Sequence, residues 1–465
     1  MNELIERNRP IKTNSALRNF ITRNWLIVMF CLIHAVILLC VFQNRSIYGK
    51  LFNLRADLNT EYDYATRIVQ GGYLPPYPDY EAEYDDNSQT IGHFVSHCLP
   101  YRDFNVEYPP LGMIFITLPR LAGSAFNVYA LAFAGEVFLF DLIGIFLLAS
   151  LARKLDSNPW KTLGIYTIAL LAVGPLVVTR FDFIPAILTL LSIFFFVNRQ
   201  SKTAWVFLAI ATLTKIYPLI IAPVFFLIQL NRGQKKELLS GLLAFLITSA
   251  VITVPCILLS PGGFWHSFFY HAQRPLQIES TYASIVELLA AFKLLTVNFT
   301  VGFGSTNVTG FVPDLLAKIS FGVMALSLLA IYLSVYHSLQ KGKMNGQNLT
   351  IPADETAFTI KYCLMAVLVF ILTCKVFSPQ YIIWLLPLIP LITQKSKNVI
   401  WLLFVLVGII TFLIFPQYYD ELRVGSLRIV VMLVVRNMML TGILLLLIRG
   451  HFLKDRAGEI NAMSG

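Results

Sequence analysis

Two carboxylates four residues apart, Asp57 and Glu61, stand beside Tyr62 in the acidic, tyrosine-rich stretch RADLNTEYDYATRIVQGGYLPPY (55–77), which follows directly on an apolar run. Isolated carboxylates of this kind suit proton abstraction from a hydroxyl. If 58–70 is a helix, Leu58, Tyr62, Ala65 and Val69 form an apolar stripe for lying on the outer leaflet, with Asp57, Glu61 and Tyr64 along its flank. The same spacing also fits Asp57 as a plain N-cap. Further on, EYPPLG (107–112) sets Glu107 and Tyr108 ahead of paired prolines, which stiffen the chain and either hold both side chains in place or simply form an elbow. The intervening YPDYEAEYDD (77–86) has no helical period and reads as a solvated loop.

Cations come later in the chain. Arg180, Lys215 and Lys375, with the carboxylate of Asp182, sit at the ends of apolar runs, and Tyr217 and Gln380 lie close by in sequence. A charge inside a span costs about 2.5–3.5 kcal/mol, so such residues face a cavity or a partner, or snorkel to the interface. YHAQRPLQIES (270–280) adds His271, Arg274, Gln277 and Glu279. Arg, Lys and His gathered at a membrane surface suit a phosphate or pyrophosphate group. A polar acceptor paired with a phosphorylated lipid would use both kinds of residue.

The elements that position these residues follow from composition. Of 465 residues 57 % are hydrophobic and only 13 % charged, too little polar surface to coat a soluble globule. The apolar runs are long and unalternating, so the spanning elements are helices and the chain is an all-α polytopic membrane protein. Runs near 25–43, 127–151, 160–178, 182–198, 203–215, 217–230, 238–259, 316–338, 358–374, 380–394, 398–415 and 426–449 predict about twelve spans. Basic clusters such as Arg153/Lys154, Arg199/Lys202, Arg232/Lys235 and Lys395/Lys397 assign their loops and both termini to the cytoplasm. The outer face then receives two long segments, 44–126 and 260–315, within a single membrane domain over 1–465. The apolar segment 109–121 is predicted to lie on or dip into that face. The first run, 25–42, is too long for a signal-peptide core and reads as a retained span. The scattered basic residues of a net charge of +10 fit orientation better than nucleic-acid binding. Of the six cysteines only Cys98 falls in a polar loop, and no disulfide framework or metal-ligand spacing is visible. Asn298 and Asn307 head Asn-x-Thr sequons on the predicted outer side, a motif common by chance.

These segments, in this order and on this side, resemble the GT-C superfamily of membrane glycosyltransferases, and within it the bacterial polyprenol-phosphate-mannose-dependent alpha-mannosyltransferases. The carriers are DLNTEYDYATRIVQGGYLPPY, EYPPLG, TRFDFIPAIL, LAIATLTKIYPLIIAP, YHAQRPLQIES, KVFSPQYIIWLLPL and VVRNMML, spread from Asp57 to about Asn437. The resemblance implies a GT-C fold with surface-lying helices in the first outer loop and Asp57 as catalytic base. Thr60-Glu61-Tyr62 departs from the aromatic or Val-Tyr pair usual after that Asp, which makes Glu61 a second carboxylate, and the insertion 78–102 departs from the usual shorter loop. The implied reaction transfers a sugar, mannose by family, from a polyprenyl phosphate donor to a glycolipid or glycan acceptor with inversion. His271, Arg274 and Lys375, then Lys215 and Arg180, would stabilise the leaving lipid phosphate. The resemblance implies no cofactor, with a divalent metal optional, and a bacterial inner membrane as the location. A transporter or lipid flippase is the competing class, for which broken helices and internal repeats would speak.

Overall fold

The computed structural model describes residues 13–43, 54–74, 93–344 and 352–463, with side chains over 24–40, 58–72, 94–341 and 354–450. In chain order the helices are α1 (Thr13–Gln43), α2 (Leu54–Gln70), α3 (Pro110–Thr117), α4 (Phe126–Lys154), α5 (Pro159–Val173), α6 (Leu176–Thr179), α7 (Phe183–Val197), α8 (Ser201–Thr214), α9 (Ala222–Asn231), α10 (Lys235–Leu259), α11 (Pro261–Gln273), α12 (Thr281–Ala291), α13 (Phe311–Met344), α14 (Pro352–Thr373), α15 (Lys397–Phe412), α16 (Tyr419–Arg423) and α17 (Leu427–Met463). Among the described residues two small antiparallel sheets interrupt them: β1 (Gly72–Leu74) with β2 (His93–Val95), and β3 (Leu276–Gln277), β5 (Ser305–Thr309) and β4 (Asn298–Gly302) in that spatial order.

Among the described residues six helical segments are long and apolar enough to cross a membrane: Phe126–Lys154, Lys235–Leu259, Phe311–Lys341, Asp354–Thr373, Lys397–Gln417 and Leu427–Gly450. Shorter apolar helices, among them Asn24–Cys40, Pro159–Val173, Phe183–Val197 and Ser201–Thr214, pack with them, and the chain is an integral membrane protein. One expectation is corrected. The run 380–394 is no spanning helix but a buried chain of short 3-10 turns, Pro379–Trp384 and Ile389–Leu391. Pro387 and Pro390 remove backbone donors that a continuous helix would need.

Local chemistry sets the element ends. The side chain of Asn158 accepts from Trp160 N ahead of Pro159 to start α5, and Gly174-Pro175 stops it. Ser260 caps α11 through Gly263 N, and Ser280 caps α12 through Ala283 N. In the bundle, α8 and α10 approach closely because Gly241 leaves room for the buried Trp205 indole, whose Nε1 donates to Gln229 Oε1 at 2.9 Å. A Cβ at 241 would collide with that ring. Gly241→Ala is therefore expected to destabilise the bundle by about 1–3 kcal/mol through overpacking, read as a lower melting temperature in detergent. An unchanged melting temperature would show that the helices separate there without cost.

Candidate functional site

Helix α2 buries Leu58, Glu61 and Ala65, the i, i+3, i+7 face of its inner side. Glu61 keeps only 3 % of its surface, and its Oε2 has no hydrogen-bond partner among the described residues. Burial pushes its carboxyl up to about 7; Glu107 and Asp182 add to the rise and Arg180 opposes it. Asp57 lies in this helix one turn earlier, with its side chain outside the described residues. Tyr62 anchors the helix instead of lining a chamber. Its hydroxyl donates to Ser124 O at 2.6 Å and its ring meets Phe126 and Tyr129 edge-on at 5.4 and 5.3 Å. Buried Arg120 completes the anchor, bonding Thr66 Oγ1 and Gly123 O.

Tyr64, on the flank, donates to Glu107 Oε2 at 2.7 Å. Burial raises the Glu107 carboxyl despite that bond and despite the nearby cations Arg274 and Lys215. The prolines after Tyr108 turn the chain into α3, and the Tyr108 ring, edge-on to Phe181 at 5.7 Å, lies 5.9 Å from the Lys215 ammonium.

Lys215 is held where α8 ends in extended backbone. Its Nζ donates to Asp182 Oδ1 at 2.6 Å, and Trp384 Nε1 donates to the same oxygen at 2.7 Å. Tyr217 and Tyr381 stack on the Trp384 ring at 4.1 and 3.9 Å, so the ammonium sits over an aromatic floor, 5.6 Å from Trp384 and 5.9 Å from Tyr381. Arg180, in the extended link between α6 and α7, lies 5.5 Å from the Phe415 ring.

The second long loop closes over this from the other side. His271 Nε2 donates to Glu107 O at 3.1 Å. The imidazole keeps accessible surface but is walled in by its neighbours, and that crowding, with Arg274, Lys215 and Lys375 nearby, pushes it down to about 4 against the pull of the Glu107 bond. It is therefore neutral at pH 7 and acts there as a hydrogen-bonding group, whereas its residue type suggested a cation. Arg274 is 9 % exposed and donates from Nη2 to Ser305 Oγ at 2.9 Å, with no partner on Nε among the described residues. Lys375 Nζ donates to Ala272 O at 2.7 Å, and partial burial lowers its ammonium.

Gln277 and Glu279 have become framework. Gln277 Oε1 accepts from Phe377 N at 3.2 Å, and Gln277 N donates to Lys375 O at 3.0 Å, fastening the 375–380 segment to β3. The fully buried Glu279 pairs with fully buried Arg436 at 3.3 Å, and Arg436 Nη2 also bonds Glu279 O. Arg436 and Asn437, from the quoted VVRNMML, are residues that sequence reasoning did not single out. Gln380 lies half-buried in the 3-10 turn Pro379–Trp384. Asn307 is buried and its Nδ2 donates to Gly302 O, which closes that sequon to modification. No group of three or more His, Cys, Asp or Glu among the described residues could hold a metal ion.

No protein-family model matches the chain, and no curated protein matches it. Among solved structures it is similar to the crystal structure of ArnT from Cupriavidus metallidurans bound to undecaprenyl phosphate, with a TM-score of 0.45 and 13 % identity over 92 % of this chain and 77 % of that one.

The raised Glu61 carboxyl carries a sign. A folded value near 7, above the unfolded value of 4.5, stabilises the fold fully below pH 4.5 and loses that contribution as pH rises through 7. The loss is on the order of 3 kcal/mol. Glu61→Gln should flatten the fall of melting temperature between pH 5 and pH 8 relative to wild type; an equal fall in both proteins would place the titration elsewhere.

Proposed function

We propose that the chain is a membrane glycosyltransferase that moves a sugar from a polyprenyl phosphate to a hydroxyl of a glycolipid or glycan at the extracytoplasmic face. The carrying observation is the convergence at one end of the bundle of two carboxylates, buried Glu61 and half-buried Glu107, with Arg180, Lys215, Arg274 and Lys375. A carboxyl raised to about 7, as at Glu61, suits acid–base work, and cations gathered nearby suit a departing phosphate. The opposite helix ends support the assignment of this side. Asp182 precedes α7 and Lys215 follows α8, whereas Arg199 and Lys202 mark the other ends of the same helices, where basic residues indicate cytoplasm.

In the proposed step the acceptor oxygen attacks the anomeric carbon as the bond from that carbon to the phosphate oxygen breaks. The electron pair leaves with the lipid phosphate, the hydroxyl proton passes to a carboxylate of α2, and the configuration inverts. Asp57 is assigned as that base from the sequence resemblance, with Glu61 one turn later on the same helix. Tyr64 holds Glu107, and neutral His271 ties the second loop to it. Arg274 and Lys375 are the phosphate ligands of this scheme, Arg180 and Lys215 the second rank. Mannose is favoured as the sugar by the resemblance alone, and no organic cofactor has a step to perform.

The test is transfer by purified protein in lipid, with short-chain polyprenyl phosphate sugars, mannose first, and a glycolipid extract. Asp57→Asn should lower turnover by about 10²–10⁴-fold with the melting temperature kept. Unchanged turnover would move the base to Glu61. Absence of transfer with every donor would remove the enzyme reading and leave transport as the class to assay.

A further inference from the structure

A groove of about 300 Å³ opens between the β4–β5 hairpin and α16, lined by Phe299, Val301 and Thr306 on one side and Asp420, Arg423 and Val424 on the other. Its walls differ in chemistry. Val301 and Val424 are 72 % and 77 % exposed, and the half-buried Phe299 ring lies against Gly425, whose φ of +72° lets the chain turn beside it. At the end of α16, Asp420 and Arg423 pair at 3.5 Å with side chains 96 % and 43 % exposed. An ion pair so open to water adds little stability.

An apolar wall beside a carboxylate–guanidinium pair suits a pyranose. The C–H face of the ring covers the valines and Phe299, while neighbouring hydroxyls donate to the carboxylate and accept from the guanidinium. A lipid tail has no use for the ion pair, and a phosphate would be repelled by Asp420. The groove also backs onto the site described above along two routes. Strand β5 sets Ser305 Oγ against Arg274 while the next residue, Thr306, lines the groove. Tyr419 of α16 packs edge-on to Phe415 at 5.2 Å, and that ring carries Arg180.

We infer that this groove is an acceptor subsite holding a sugar residue of the glycan away from the attacking hydroxyl. The inference rests on the transferase reading and adds the acceptor's class to it. Asp420→Ala and Arg423→Ala should each raise the KM for a glycan acceptor roughly tenfold, with kcat at saturating acceptor, donor KM and melting temperature unchanged. An unchanged acceptor KM, or an equal rise in donor KM, overturns it. A second measurement needs no chemistry: binding of wild type and the double variant to immobilised di- to hexasaccharides of mannose, glucose, galactose and arabinose, without donor. Binding by wild type that the double variant loses supports the subsite even where no transfer is seen, in which case the transferase reading alone fails. Equal binding by both proteins, or none by wild type, overturns the subsite.

Discussion

The contact between the Lys215 ammonium and the Asp182 carboxylate, 2.6 Å long, governs the architecture of the charged end. Neither charge could be left alone there, since an uncompensated buried ion costs several kcal/mol. Each stands at a helix end, and the two are joined by Trp384, which donates its indole N–H to the same carboxylate oxygen. The contact therefore draws together the start of α7, the end of α8 and the 3-10 segment after α14. The aromatic floor of Tyr217, Trp384 and Tyr381 is assembled by that meeting, and Tyr108 from the first loop closes on the same ammonium. Further charges can gather at this end because the pair beneath them is already neutral.

The opposite ends of the same helices are arranged by helix dipoles. Arg199 Nη2 meets Glu355 Oε2 at 2.7 Å, Arg232 contacts the same carboxylate, and Lys154 Nζ bonds Asn198 Oδ1. Lys154 ends α4, Arg199 and Arg232 follow the C-terminal ends of α7 and α9, and Glu355 occupies the first turn of α14, the signs that each terminus favours. Glu355 gathers two guanidiniums at this end, whereas Arg274 and Lys375 at the other meet neutral partners. Buried polar atoms without a partner among the described residues occur at both ends, Arg232 Nε and Asn231 Oδ1 at the one, Arg274 Nε and Glu61 Oε2 at the other.

Much of this was legible in the sequence, and the exceptions have physical causes. Composition and run length give the helical membrane class, and the charges at run ends, Arg180, Asp182, Lys215 and Lys375, do lie near one another. The run 380–394 was misread because a fully buried segment is as apolar as a lipid-facing one. Hydropathy cannot tell Ile382, Ile383, Leu385 and Leu386, all buried in protein, from residues in a bilayer. On α2 an apolar stripe through Leu58, Tyr62, Ala65 and Val69 was the natural pattern, but the inner face runs through Glu61, a polar residue that no hydrophobic period can register. Glu279 looked like chemistry because its partner Arg436 is more than 150 residues away in the chain, and only the fold brings them to 3.3 Å.

The second long loop is fastened to the first loop and to the segment after α14 largely through main-chain atoms. His271 bonds the carbonyl of Glu107, Lys375 bonds the carbonyl of Ala272, and Gln277 reads both the amide of Phe377 and, through its own amide, the carbonyl of Lys375. Carbonyls are fixed by the backbone and carry no net charge, so they can position a cationic side chain without neutralising it, as an acidic partner would. Lys375 is placed in this way, and Arg274 by the neutral hydroxyl of Ser305, whereas Lys215 is paired with a carboxylate. The net positive charge left over by neutral partners belongs to Arg274 and Lys375. This gives an electrostatic reason to rank those two ahead of Lys215 as ligands for an anion.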